Sequence, residues 1–154
     1  MPTNPPIPAC TYAIEPAGWR DLNQLRSLEQ ACFPVDAWPL LDLIGILTFP
    51  NVLRLKATCE GRMIGFVACD IRHSQQIAWV ATIGVLPAYR RQGIGEALLQ
   101  ACEVQLTTPC IRLCVRISNQ TAIHLYERNG YNRVETWRQY YQDKEDALVM
   151  EKIR

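Results

Sequence analysis

One stretch near the middle of the chain gathers the groups that hold a large anion: Val85-Leu86-Pro87-Ala88-Tyr89-Arg90-Arg91-Gln92-Gly93-Ile94-Gly95. The apolar run Ile77 to Val85 before it reads as a strand, and Glu96-Ala97-Leu98-Leu99-Gln100-Ala101-Cys102 after it reads as a helix. A helix start offers unpaired N–H groups and the positive end of the macrodipole. The glycines let the backbone approach a bulky ligand, and the arginines add charge. A pyrophosphate-bearing cofactor is the natural guest. No Gly-Lys-Ser/Thr follows Gly95, so the turn is not a P-loop; Leu98 stands where a dinucleotide fingerprint needs its third glycine. What remains is R-x-x-G-x-G, carried by Arg90, Gly93 and Gly95.

A second cluster lies downstream. Ile111-Arg112-Leu113-Cys114-Val115-Arg116-Ile117-Ser118-Asn119 is followed by Ala122-Ile123-His124-Leu125-Tyr126-Glu127-Arg128-Asn129-Gly130-Tyr131. Alone, Tyr126 reads as a core aromatic on an amphipathic helix. The Arg/Gly turn and this strand–Asn–helix–Tyr–Gly-aromatic order together resemble the GNAT acyltransferases, continuously from Arg90 through Tyr131. The resemblance implies two splayed parallel strands that bind acetyl-CoA as co-substrate. Ile83, Gly84 and Val85 would meet its pantetheine arm through the main chain. Arg90, Arg91, Gln92, Gly93, Ile94, Gly95 and Glu96 would surround the pyrophosphate. Asn119 would hydrogen-bond the cofactor, and Tyr126, facing the thioester sulfur, would protonate the leaving thiolate as a general acid.

Two further segments resemble the RimI-type protein N-terminal acetyltransferases within that family. They are Phe33-Pro34-Val35, and Tyr140-Tyr141 with Glu145-Asp146-Ala147-Leu148-Val149-Met150. By that resemblance Phe33, Pro34, Tyr140 and Tyr141 close over the acceptor and leave a slot for an extended N-terminus, possible partners including a ribosomal protein. Cys114 stands where relatives carry a glutamate or histidine base, and Trp79 near where some carry a tyrosine. A thiol near pKa ~8.5 is a weak base at neutral pH, and burial raises it further. An α-amine of pKa about 7.7–8.0 is roughly one-third neutral at pH ~7.5, whereas a lysine near ~10.4 is neutral only about one part in a thousand. An N-terminal acceptor therefore needs little help from a base, and a water chain to Glu29, Asp36 or His73 would suffice. Other readings are a GNAT enzyme for lysine or a small amine, and a non-catalytic acyl-CoA-binding module.

The elements that must position these residues follow from periodicity. Leu22, Leu25, Leu28 and Ala31 mark one helix, ended at Phe33-Pro34, and Leu40 to Phe49 marks a second, with Gly45 in its middle. Strands are expected at Cys10 to Ile14, Val52 to Thr58, Met63 to Ile71, Ile77 to Val85, Ile111 to Ile117, Tyr131 to Trp137 and Ala147 to Ile153. Ser118 or Asn119 caps a helix from Thr121 to Arg128. The fold class is α/β (α+β): a mixed sheet of about six or seven strands with helices on both faces. Residues 1–9 are proline-dense and read as a flexible tail, with 10–154 as a single domain. The net charge of +1 provides no field for nucleic acid, and no apolar run is long enough for a bilayer. The seven cysteines fit no zinc spacing and follow no apolar leader, so reduced thiols in a cytoplasmic protein are expected, with no metal.

Overall fold

Alternating side chains from Val52 onward build a long hairpin. Strand β2 (Val52–Cys59) turns at Glu60 and Gly61 into β3 (Arg62–Arg72). Both turn residues have positive φ, 51° and 77°, the backbone of a two-residue hairpin whose twist matches its strands. The computed structural model describes residues 10–154, so the expected flexible tail lies outside the described residues. The remaining elements are β1 (Ala13–Pro16), α1 (Leu22–Cys32), α2 (Leu40–Thr48), β4 (Ile77–Val85), α3 (Ile94–Gln105), β5 (Cys110–Arg116), α4 (Gln120–Arg128), β6 (Asn132–Trp137) and β7 (Ala147–Ile153).

The strands form one seven-stranded sheet in the order β1-β2-β3-β4-β5-β7-β6. Among the described strands only β4 and β5 run parallel; the other pairs are antiparallel. Short β1 and polar β6 form its two edges. Residues opposite one another in an antiparallel pair share a face. Gly65 opposes Val85 on the face taken by Leu98 and Ile94 of α3, whereas Phe66 opposes Gly84 on the face taken by Cys32 and Phe33 at the end of α1. Helices thus cover both faces, and the core lies between them and the strands, with Leu25, Leu28, Phe66, Leu98, Leu99 and Ile111 fully enclosed.

Local chemistry explains the helix limits. α1 stops at Phe33, whose N–H still reaches the Glu29 carbonyl at 2.8 Å, because Pro34 follows. α2 passes through Gly45, where a Cβ would come within 3.0 Å of the Phe49 ring, so glycine there admits that ring. Asn119 caps α4, its Oδ1 accepting the Ala122 N–H at 3.2 Å.

Two expectations are corrected. β1 begins at Ala13 rather than Cys10. The thiols are not all reduced: Cys10 and Cys59 form a disulfide with Cα atoms 6.3 Å apart. β1 pairs antiparallel with β2, Ala13 opposite Thr58, which carries the preceding chain alongside the end of β2. Cys32, Cys69, Cys102, Cys110 and Cys114 are free. Among the described residues no helix is long and apolar enough to cross a membrane.

Candidate active site

The site starts where the parallel strands part. β4 and β5 stay in register from Ile77 opposite Cys110 to Val80 opposite Leu113, and pair no further. At this point the β3–β4 register slips: Cys69 faces Val80 but Ala68 faces Thr82, leaving Ala81 as the extra residue of a bulge. Past the bulge β4 keeps its bonds to β3 and leaves β5. A cleft of about 220 Å³ fills the gap, lined among others by Phe33, Thr82, Ile83, Cys114, Asn119 and Tyr126. A groove of about 1000 Å³ shares Asp36, Trp38, Val80, Ala81, Cys114 and Tyr141 with it as a common wall.

Tyr126 projects from α4 into the cleft wall and is almost fully buried, its ring edge-on to Tyr131 with centroids 5.9 Å apart. Burial pushes its phenol up to about 12, so it stays protonated at neutral pH. Cys114, half-buried on β5, is raised to about 11, first by burial and then by the charge of Glu135. It is a thiol at neutral pH and a poor proton acceptor. Glu29 sits behind the cleft with 1% of its surface exposed. Its Oε1 accepts the Thr82 hydroxyl at 2.7 Å, and Oε2 has no partner among the described residues. Burial raises its pKa, partly offset by the Thr82 hydroxyl and the Trp38 main chain.

The Arg/Gly turn leads into α3 at one end of β4. Arg91 and Gly93 both take left-handed backbone, φ 64° and 79°, which bends the chain around the helix start. Arg91, Gln92 and Gly93 are exposed. Arg90 is exposed too, but its Nε donates to the Val85 carbonyl at 3.1 Å, and the Cys32 thiol donates to the same oxygen. That carbonyl is therefore already taken. Ile94 is a core residue, leaving only its main chain to face a ligand. Glu96 accepts the Asn129 amide at 3.0 Å. A Cβ on Gly95 would meet only Val85 and Leu125 at ordinary contact distance.

Of the expected acceptor residues, Phe33 lines the cleft, Tyr140 the groove and Tyr141 both; Pro34 lines neither. His73 is exposed and lines neither cavity. The groove wall is more aromatic than the sequence reading foresaw. Trp79, Trp137 and Tyr140 follow one another with centroids 5.9 and 5.4 Å apart, and Trp38 and Phe49 stand on other sides. Arg116 was also missed. Its Nε and Nη2 donate to both oxygens of Asp36 at 2.8 Å each, and Nη1 donates to Asp143 and Glu145. Its guanidinium lies 4.2 Å from the Tyr141 ring centroid. The one local signal was a charged residue at the end of an apolar strand.

Comparison with known proteins agrees with this geometry. Residues 22–131 match the acetyltransferase (GNAT) family. The chain is similar to N-alpha-acetyltransferase 50 of Danio rerio, 32% identical over 148 residues covering 86% of this chain and 82% of the relative. It is 31% identical over 153 residues to an N-alpha-acetyltransferase of Sulfurisphaera tokodaii, covering 90% and 91%. Among solved structures it resembles the ribosomal-protein-S18-alanine N-acetyltransferase of Escherichia coli, with a TM-score of 0.84, 29% identity, and coverage of 93% and 94%.

Proposed function

The chain belongs to the GNAT acetyltransferase family, an acetyl-CoA-dependent acyltransferase, and from that premise we propose that it acetylates the free α-amine of protein N-termini. The observation that carries this reading is the shared wall between the parted-strand cleft and the aromatic groove. An acyl donor in the first and an acceptor in the second meet beside Ala81, Cys114 and Tyr141. The named relatives acetylate N-termini, one of them on a ribosomal protein, and this supports the same acceptor class here.

The residues divide the work. Main-chain groups of Ile83 and Gly84, freed from β5, hold the pantetheine arm. The exposed turn from Arg90 to Gly93, the main chain of Ile94 and Gly95 and the first N–H groups of α3 take the pyrophosphate. Open space at Gly95 suits the close approach of such a ligand. The amide nitrogen of Asn119, not used in capping, faces the cofactor. The neutral acceptor amine forms its bond to the acetyl carbon, and the carbon–sulfur bond breaks. Tyr126 gives its proton to the departing sulfur, and the proton lost by nitrogen passes through water and restores the phenol. Cys114 takes no part as a base, consistent with its raised pKa. Tyr140 and Tyr141 flank an extended N-terminus in the groove, with Phe33 on the cleft side where its amine meets the acetyl group, and a mid-chain lysine is disfavoured.

The test is CoA release with acetyl-CoA and paired peptides: free Ala, Ser or Met starts against α-blocked peptides carrying one lysine. Turnover on the free α-amines, with the acetyl group located there by mass spectrometry, is expected. Turnover on the blocked peptides alone overturns the reading.

A further inference from the structure

Arg116 joins three segments that are far apart in the chain. On one side it grips Asp36, in the loop between α1 and α2 that carries Phe33 and Trp38. On the other it grips Asp143 and Glu145, in the β6–β7 hairpin that carries Tyr140 and Tyr141. Glu145 spends its second oxygen on the Ser118 N–H at 2.9 Å, which ties in the turn that starts α4 with Asn119. The two segments are the opposite banks of the groove, and they touch the cation from both ends of one planar group. Arg116 is four-fifths buried, and its stacking on Tyr141 fixes the plane of the fork. Only a guanidinium offers this arrangement, because an ammonium is a point donor without a plane.

We propose that Arg116 is the positioning residue of the acceptor groove: it clamps the α1–α2 loop to the β6–β7 hairpin and so sets the width in which an acceptor N-terminus is held. The clamp rests on the N-terminal reading above for the identity of its acceptor. Arg116 also lines the donor cleft, but its fork is spent on Asp36, Asp143 and Glu145, so the clamp acts first on peptide binding. Released, the two banks move independently and the acceptor loses its second wall.

The experiment is steady-state kinetics on a free-amine peptide with Arg116→Gln and Arg116→Lys, alongside the acetyl-CoA Kd by calorimetry. Arg116→Gln should raise the peptide KM by at least about tenfold, with kcat within about threefold and any rise in the acetyl-CoA Kd at least about threefold smaller than the rise in KM. Arg116→Lys should not restore KM, since it keeps the charge and loses the fork. An unchanged KM, or a fall in kcat with KM unchanged, overturns the proposal. Should Arg116→Gln fail to give a cooperative melt, Asp143→Asn on the exposed hairpin loosens one arm alone. It should raise KM about threefold, and no rise overturns the clamp. Failure of the N-terminal reading looks different: wild type is then silent on free α-amines and active on a blocked lysine peptide, and the clamp is judged by the same variants on that peptide's KM.

Discussion

Tyr126 and Cys114 line the same cleft, and both keep their protons at neutral pH: burial holds the phenol at about 12 and the thiol at about 11. The phenol has a proton to give; the thiol cannot accept one. Tyr126→Phe should therefore cost at least about tenfold in turnover while acetyl-CoA affinity is kept, measured by CoA release and calorimetry. Cys114→Ala should stay within about threefold of wild type. With Cys114 held protonated, kcat/KM should rise with the acceptor amine through roughly pH 7–8 and stay flat to about pH 10. Glu29 gives a stability prediction. Its folded pKa is raised, so the native state holds the proton more tightly than the unfolded chain. That advantage is full below the ordinary glutamate pKa and is lost as pH rises through the raised one. Glu29→Gln removes this slope, so urea melts at pH 5 and 7.5 should differ less in the variant than in wild type. Glu145 runs the other way. Its contacts with Ser118 and Arg116 lower it to about 2, so its contribution is present above the usual glutamate range and fades toward that value. Tyr126 was legible because Asn119 and Gly130 frame it within one short segment. Arg116 was not, because Asp36 is 80 residues away and its hairpin partners 27 and 29.

Among the elements, α1, α2 and α4 were legible to within a residue or so, because apolar spacing, Pro34 and Gly130 mark them locally, whereas α3 starts two residues before Glu96 and ends three after Cys102. Ile77 to Val85 was legible as a strand, but its departure from β5 was not: the parting depends on a neighbour thirty residues on, and an apolar run gives no sign of a bulge. The glycines separate packing from ligand binding. A Cβ on Gly65 would lie 2.9 Å from Leu98 Cδ1, so Gly65→Ala should destabilise by about 1–3 kcal/mol in denaturant melts. Gly95→Ala meets no such obstacle, since its nearest neighbour is 3.7 Å away. It should melt like wild type and yet bind acetyl-CoA more weakly by calorimetry; equal affinity would remove Gly95 from the cofactor site.

Across the whole molecule, the Cys10–Cys59 disulfide closes a loop spanning 49 residues that contains β1, α1 and α2. In the chain-entropy description such a closure is worth about 4 kcal/mol. Cys10→Ser, or reduction of wild type, should lower the Tm clearly. Turnover at low temperature should hold, because Cys59 ends β2 and the groove is lined at its other end by Val52. The bond was illegible in sequence: spacing alone pairs no cysteines, and only the β1–β2 register brings these two together. The two edges of the sheet have a consequence for crowded solutions. β1 is four residues long and ends in Pro16, which has no N–H to offer. β6 presents Arg133 and Glu135 on either side of a register slip. Neither edge is a good template for a strand from another copy, which guards the protein against edge-to-edge aggregation while its groove stays free for acceptors.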